Sequence, residues 1–205
     1  MLTKLKEKVQ AMFAAEARAA HKMRLTPNRV SLIGIVLAFA SAIAYAQWEM
    51  DRLYLLLATA LLLLSGFCDA LDGVIARLYQ QATSFGGFFD SVLDRYADAA
   101  VFAALILSRL CDLSWGLVAL AGSLLVSYSR ARAEAAGVKM ESIGLAERAE
   151  RMLILALAGV VAIFWESPAV VMNMAVILLA ILSNLTVVQR SLYAYGKLKK
   201  GETSD

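Results

Sequence analysis

Between Asp69 and Asp94 the chain reads Asp69-x2-Asp72-Gly73-x2-Ala76-Arg77-x8-Gly86-x3-Asp90-x3-Asp94, four carboxylates set into a stretch otherwise apolar enough to cross a bilayer. Few folds tolerate that combination. A carboxylate near the bilayer centre costs roughly 2.5 to 3.5 kcal/mol on insertion scales, so four of them require a compensating positive charge. On helices, Asp69 and Asp72 are three apart and Asp90 and Asp94 four apart, so each pair projects from one face. Two such faces brought together make a four-carboxylate cage. Oxygen-only ligands at this density suit hard divalent cations, Mg2+ first and Mn2+ or Ca2+ next, rather than zinc. Helix-end carboxylates solvated at the water interface, or paired with Arg77 or Arg95, are the bland alternative, which leaves the spacing unexplained.

Composition extends the same reading. With 60% hydrophobic residues and two prolines in 205 residues, the expected fold is all-α: a polytopic membrane protein with six transmembrane helices and an N-terminal amphipathic interfacial helix. A single domain, 1–205, is expected. Apolar runs bounded by charged or turn residues predict spans over 29–48, 53–78, 85–109, 114–136, 148–165 and 168–189, a core of 29–189. The first run follows a long charged segment without a small-residue cleavage site, so it is expected to stay in the membrane rather than act as a signal peptide. Before it, Leu2, Leu5, Val9, Met12 and Phe13 recur at helical spacing among lysines, which predicts a helix over 1–24 lying in the headgroup plane against membrane lipids. Thr26-Pro27-Asn28 reads as a turn in which Thr26 caps the first span and Pro27 takes its first helical position. Residues 196–205 read as a solvated tail.

Basic residues set the expected orientation. Lys4, Lys6, Lys8, Arg18, Lys22, Arg24 and Arg29 precede span one; Arg130, Arg132, Lys139, Arg148 and Arg151 lie between spans four and five; Arg190, Lys197, Lys199 and Lys200 follow span six. The opposite loops carry only Arg52 and Arg109, with Trp48, Tyr54, Trp115 and Trp165 near that edge. Both termini and the aspartate site are therefore expected on the cytoplasmic face of the cell membrane. Cys68 and Cys111 fall on opposite sides, so no disulfide is expected. Nucleic acid is not an expected partner.

The aspartate frame resembles the signature of the CDP-alcohol phosphotransferases, Asp-x2-Asp-Gly-x2-Ala-Arg-x8-Gly-x3-Asp-x3-Asp, and meets it at every position. The six-span plan, the Thr-Pro-Asn entry and the interfacial helix extend the likeness over essentially the whole chain. The resemblance implies an enzyme that displaces CMP from a CDP-linked lipid with the hydroxyl of a small polar alcohol. It implies two metal ions, Mg2+ with Mn2+ as the substitute, held by Asp69, Asp72, Asp90 and Asp94, with Asp94 also accepting the hydroxyl proton as the catalytic base. It implies a CDP-lipid site at Asn28, Arg29, Val30, Ser31, Gly73, Ala76, Arg77, Thr83 and Gly86, the glycines admitting the nucleotide to the helix backbone and Arg77 pairing with phosphate. It also implies a homodimer.

The acceptor is read from the arginines. Ser127-Tyr128-Ser129-Arg130-Ala131-Arg132-Ala133-Glu134, Glu147-Arg148-Ala149-Glu150-Arg151 and Arg190 bring guanidinium groups to three helix ends, a pattern suited to a dianionic phosphate through bidentate forks. Ordinary positive-inside charge accounts for some of them. The Arg-Ala-Arg-Ala-Glu and Glu-Arg-x-Glu-Arg pairing is similar to the inositol phosphate-using branch of the family, the phosphatidylinositol phosphate and archaetidylinositol phosphate synthases. Ala149 stands where the bacterial pattern has proline and Arg130 where lysine is common, which leans toward the archaeal relatives. The implied partners are CDP-diacylglycerol or CDP-archaeol and inositol phosphate, the phosphate being held by Arg130, Arg151 and Arg190 with Arg132 and Arg148. Phosphatidylglycerophosphate synthesis from glycerol 3-phosphate remains the alternative within the family. An ion or proton transporter is the alternative of another class, and it would distribute acids through the bilayer depth and show inverted repeats.

Overall fold

A computed structural model describes residues 13–140 and 143–202, and every regular element among them is an α-helix. Helix α1 covers 13–22, followed by α2 (Pro27–Ala46), α3 (Leu53–Leu78), α4 (Ser84–Leu107), α5 (Leu113–Ala135), α6 (Arg148–Phe164) and α7 (Pro168–Glu202). The expected segment boundaries fall within two residues of these helices except at the last, where α7 continues through the expected tail to Glu202. Leu2, Leu5, Val9 and Met12 of the expected interfacial helix lie outside the described residues.

The long helices pack in the circular order α2, α3, α6, α7, α5, α4 and back to α2. In that ring α3 and α4 are both neighbours of α2, while α6 enters from beyond α3, so residues of α3, α4 and α6 can converge on the interior. The main apolar cluster fills one half of the bundle, from Tyr45 of α2, Leu55 of α3 and Leu105 of α4 to Leu155 of α6 and Val176 and Leu179 of α7. A smaller cluster at the other end joins Ala17 and Ala20 of α1 to Val30, Leu71, Val74 and Ile75. The carboxylates lie toward that second end. Small residues permit the close helix approaches: a Cβ on Gly159 of α6 would collide with Thr59 Oγ1 of α3, and one on Gly122 of α5 would meet Asn184 Nδ2 of α7 at 2.6 Å.

The exterior is apolar. Leu32, Val36 and Ile43 of α2, Leu153 and Leu157 of α6, and Met174 and Ile181 of α7 are exposed, large apolar side chains of the kind lipid covers. Three helices, Pro27–Ala46, Leu53–Leu78 and Pro168–Lys199, are long and apolar enough to cross a membrane by length and composition. The other three are interrupted or short: α4 carries Asp90, Asp94, Arg95 and Asp98, α5 ends in Arg130, Arg132 and Glu134, and α6 has 17 residues.

Helix ends fit the turn reading with one correction. Pro27 begins α2 and Thr26 occupies its N-cap in an extended conformation, but the Thr26 side chain makes no capping bond. Its main-chain oxygen instead accepts from Arg29 N and Val30 N. The side-chain cap sits at α4, where Thr83 Oγ1 accepts from Gly86 N at 2.9 Å. Both cysteines are free.

Candidate active site

The last turns of α3 and the first half of α4 supply the acidic residues. Asp69, Asp90 and Asp94 each offer a carboxylate oxygen within 4.8 Å of the others. Asp72 lines the same cleft but is turned to α2, where Ser31 Oγ donates to its Oδ2 at 2.5 Å. Gly34, Ile35, Ser65, Leu93 and Ala97 complete the walls. The three grouped donors are all oxygen and all half-buried, a set that fits a hard divalent cation and not a soft one.

The positive charge comes from α6. Arg148 Nη1 lies 3.0 Å from Asp69 Oδ2 and 2.9 Å from Asp94 Oδ1. Its N–H bonds are not directed along either carboxylate, so these contacts are Coulombic and leave the carboxylate lone pairs without that donor. The other edge of the same guanidinium, Nε, donates to Asp98 Oδ1 at 3.3 Å. Arg151, one turn later, donates from Nη2 to Asp98 Oδ2 at 2.9 Å and from Nη1 to Ala146 O at 3.1 Å. Two arginines in the first turn of a helix oppose its dipole, and the aspartates of α3 and α4 offset that.

Beyond Arg148 opens a cavity of about 410 Å3, walled by Arg95, Arg130, Arg148, Arg151 and Arg190 against Asp94, Glu134 and Glu147, an excess of two positive charges, with Ser91 and Ser127 also at its surface. Asp94 and Arg148 belong to both this cavity and the carboxylate cleft, so the two spaces share a wall. The loop before α6 is fastened to α7. Thr186 Oγ1 accepts from Leu145 N and Ala146 N, and Arg190 donates from Nε to Ile143 O at 2.7 Å and from Nη1 to Val126 O at 2.6 Å. Gly144, at φ +149, is required there because a side chain would strike Thr186 and Arg190.

The structure therefore brings Arg130, Arg148, Arg151 and Arg190 to one cavity, while Arg132 is exposed outside its wall. Among the residues expected at the nucleotide, Asn28, Thr83 and Gly86 meet: a Cβ on Gly86 would come 3.0 Å from Thr83 Oγ1 and 3.2 Å from Asn28 Oδ1. Arg77 folds back along α3 to within 3.3 Å of where a Gly73 Cβ would stand, and Ala76 beside it is half-buried. Val30 is buried in the small apolar cluster, and Arg29 donates to Arg24 O at 3.3 Å, so neither lines the cleft. Sequence reading missed Asp98, whose signal was the continuation of the four-residue step Asp90, Asp94, Asp98.

A family model described as CDP-alcohol phosphatidyltransferase matches residues 24–187. The archaetidylinositol phosphate synthase of Methanothermobacter thermautotrophicus is 40% identical over 180 residues, 88% of each chain. That of Pyrococcus horikoshii is 35% identical over 201 residues, 98% of this chain and 100% of the relative. The Mycobacterium tuberculosis phosphatidylinositol phosphate synthase, solved with CDP-DAG bound, superposes with a TM-score of 0.74 at 29% identity over 88% of this chain and 92% of its own. The same protein in complex with manganese and citrate gives a TM-score of 0.75, covering 88% of each chain.

Proposed function

Because the chain belongs to the CDP-alcohol phosphatidyltransferase family, we propose that it transfers the lipid phosphate of CDP-diacylglycerol or CDP-archaeol to a hydroxyl of inositol phosphate, releasing CMP. The observation that carries this reading is the wall of Asp94 and Arg148 shared by the carboxylate cleft and the arginine cavity. A phosphorylated acceptor held by arginines on one side of that wall presents its hydroxyl to the carboxylates on the other. The named activities of the archaeal and mycobacterial relatives support the acceptor assignment.

In this mechanism Asp69, Asp72, Asp90 and Asp94 would hold two divalent ions, Mg2+ or Mn2+; manganese in the mycobacterial structure supports a divalent site. Bound there, such ions would neutralise the pyrophosphate and lower the pKa of the hydroxyl. Asp94 takes the hydroxyl proton as the oxygen attacks the lipid-side phosphorus. A new phosphorus–oxygen bond forms, the anhydride bond breaks, and CMP leaves with the electron pair. Ser31 fixes the rotamer of Asp72. Asn28, Thr83 and Gly86 shape the nucleotide side, with Arg77 and Gly73 beside it on α3. Arg130 and Arg151 bind the acceptor phosphate, and Arg190 contributes charge while it pins the loop before α6.

All six long helices span the cell membrane in this reading, α4, α5 and α6 sheltering their charges within the bundle, and the site opens to the cytoplasm on the side rich in lysine and arginine. Two copies form a homodimer. The deciding experiment measures CMP release by purified protein in lipid with Mg2+ and a CDP-lipid, offering inositol phosphate, glycerol 3-phosphate, free inositol and serine in parallel. Turnover with inositol phosphate alone is expected. Turnover with glycerol 3-phosphate in its place would overturn the acceptor assignment and leave the family chemistry intact.

A further inference from the structure

More of the site converges on Asp98 than its absence from the aspartate signature would suggest. It stands one helical turn beyond Asp94 on α4, and its side chain is 14% exposed. Three donors from two other helices meet its carboxylate: Arg148 Nε on Oδ1, Arg151 Nη2 and Ser123 Oγ on Oδ2, the last at 2.8 Å. Its two oxygens thus hold two different guanidinium groups. One of these, Arg148, lies against Asp69 and Asp94; the other, Arg151, walls the arginine cavity.

We propose that Asp98 is a positioning residue for the transfer reaction, fixing the orientation of Arg148 beside Asp94 and holding Arg151 at the cavity wall so that the acceptor phosphate is seated in register with the attacking hydroxyl. The inference rests on reading that cavity as the acceptor site. Arg148 meets Asp69 and Asp94 without directed hydrogen bonds, so attraction to those carboxylates alone leaves the guanidinium free to rotate; the bond from Nε to Asp98 fixes its plane. Arg151 has a 4% exposed side chain and two directed acceptors, Ala146 O and Asp98. Loss of Asp98 leaves that buried charge with one main-chain oxygen and frees its fork to turn. Ser123, wholly buried on α5, holds the carboxylate in turn.

The test is steady-state CMP release by the full chain in lipid, with Asp98→Asn, Arg151→Lys and the double variant, beside thermal unfolding of each. Asp98→Asn is expected to raise the acceptor KM about tenfold or more, with the CDP-lipid KM changed less than about twofold. Adding Arg151→Lys is expected to cost less than about threefold beyond the worse single variant, because both changes disable one unit. An unchanged acceptor KM with only a lowered unfolding temperature would mean a structural salt bridge, and multiplying effects would mean independent roles; either overturns the inference. Should Asp98→Asn not fold, Ser123→Ala decides, since it loosens the carboxylate without removing any charge: a rise in acceptor KM of about threefold supports the inference, and none overturns it. The acceptor is whichever of inositol phosphate or glycerol 3-phosphate the unaltered protein uses. Glycerol 3-phosphate as the acceptor defeats the inositol reading and leaves this test intact, whereas turnover with free inositol or serine alone defeats both.

Discussion

Arg148 Nη1 lies 2.9 Å from Asp94 Oδ1 and 3.0 Å from Asp69 Oδ2, which ties the first residue of α6 to carboxylates on two other helices. The contact places a cation against the grouped carboxylates of α3 and α4. It also joins the carboxylate cleft to the arginine cavity through one side chain.

The first prediction concerns the base. Asp94→Asn keeps the side-chain shape and one oxygen but cannot accept the hydroxyl proton. CMP release is expected to fall by roughly 100- to 10,000-fold, with the protein still folded as judged by its unfolding temperature. A residual rate within about tenfold of the unaltered protein would assign the base elsewhere.

Cation dependence is the second. Chelation with EDTA is expected to abolish CMP release, and added Mg2+ or Mn2+ to restore it, because the grouped oxygens of Asp69, Asp90 and Asp94 match hard divalent ions. Asp90→Ala removes one ligand without disturbing an ion pair of the Arg148 network. The Mn2+ concentration for half-maximal rate should therefore rise by about tenfold or more, as for loss of a ligand-orienting group. An unaltered Mn2+ dependence in Asp90→Ala would remove Asp90 from the metal site.

How much of this was legible in the sequence differs from part to part. The acidic cleft was, because Asp69 and Asp72, and Asp90 and Asp94, recur at helical intervals that declare a face without any tertiary information. The requirement for a positive charge was legible too, but not its source: Arg148 is 79 residues from Asp69, and nothing local marks it off from Arg132, which ends outside the cavity. The resemblance implies Asn28, Arg29, Val30 and Ser31 together, whereas consecutive helical residues point some 100° apart, so in the structure Ser31 lines the carboxylate cleft, Val30 is buried in the small apolar cluster and Arg29 turns to Arg24 O. Thr26 is the cap expected from sequence, yet it is Thr83 that turns its hydroxyl to the helix that follows it.

The third prediction tests the nucleotide side. A Cβ on Gly86 would press on Thr83 Oγ1 and Asn28 Oδ1, so Gly86→Ala must displace the cap, the asparagine, or both. The KM for the CDP-lipid is expected to rise by about fivefold or more while the acceptor KM holds. A rise confined to the acceptor KM would place Gly86 outside the nucleotide site.

The fourth concerns the buried bond between Ser31 and Asp72. Ser31→Ala leaves a 6% exposed carboxylate without its hydroxyl donor, a loss of about 1–3 kcal/mol for a buried polar group stripped of its partner. Thermal unfolding in detergent should show the drop without added metal. Saturating Mg2+ should recover part of it, since a ligand bound only by the folded state stabilises that state. A variant as stable as the unaltered protein without metal would mean that the bond contributes nothing net.

Helix packing supplies the last prediction, and it separates stability from chemistry. Gly159 of α6 lies so close to α3 that a Cβ would collide with Thr59 Oγ1 and press on the Tyr45 hydroxyl at 3.2 Å. Thr59 is 1% exposed and cannot swing into free space, so Gly159→Ala must push α6 from α3, at a cost of about 1–3 kcal/mol for overpacking. The same displacement moves Arg148, eleven residues earlier on the rigid helix, relative to Asp69 on α3. Gly159→Ala is therefore expected to lower both the unfolding temperature and the rate of CMP release. Thr59→Ala deletes the colliding oxygen, and the double variant should recover most of both. Recovery of stability without recovery of rate would show that the spacing of α3 and α6 does not set the contact between Arg148 and Asp69.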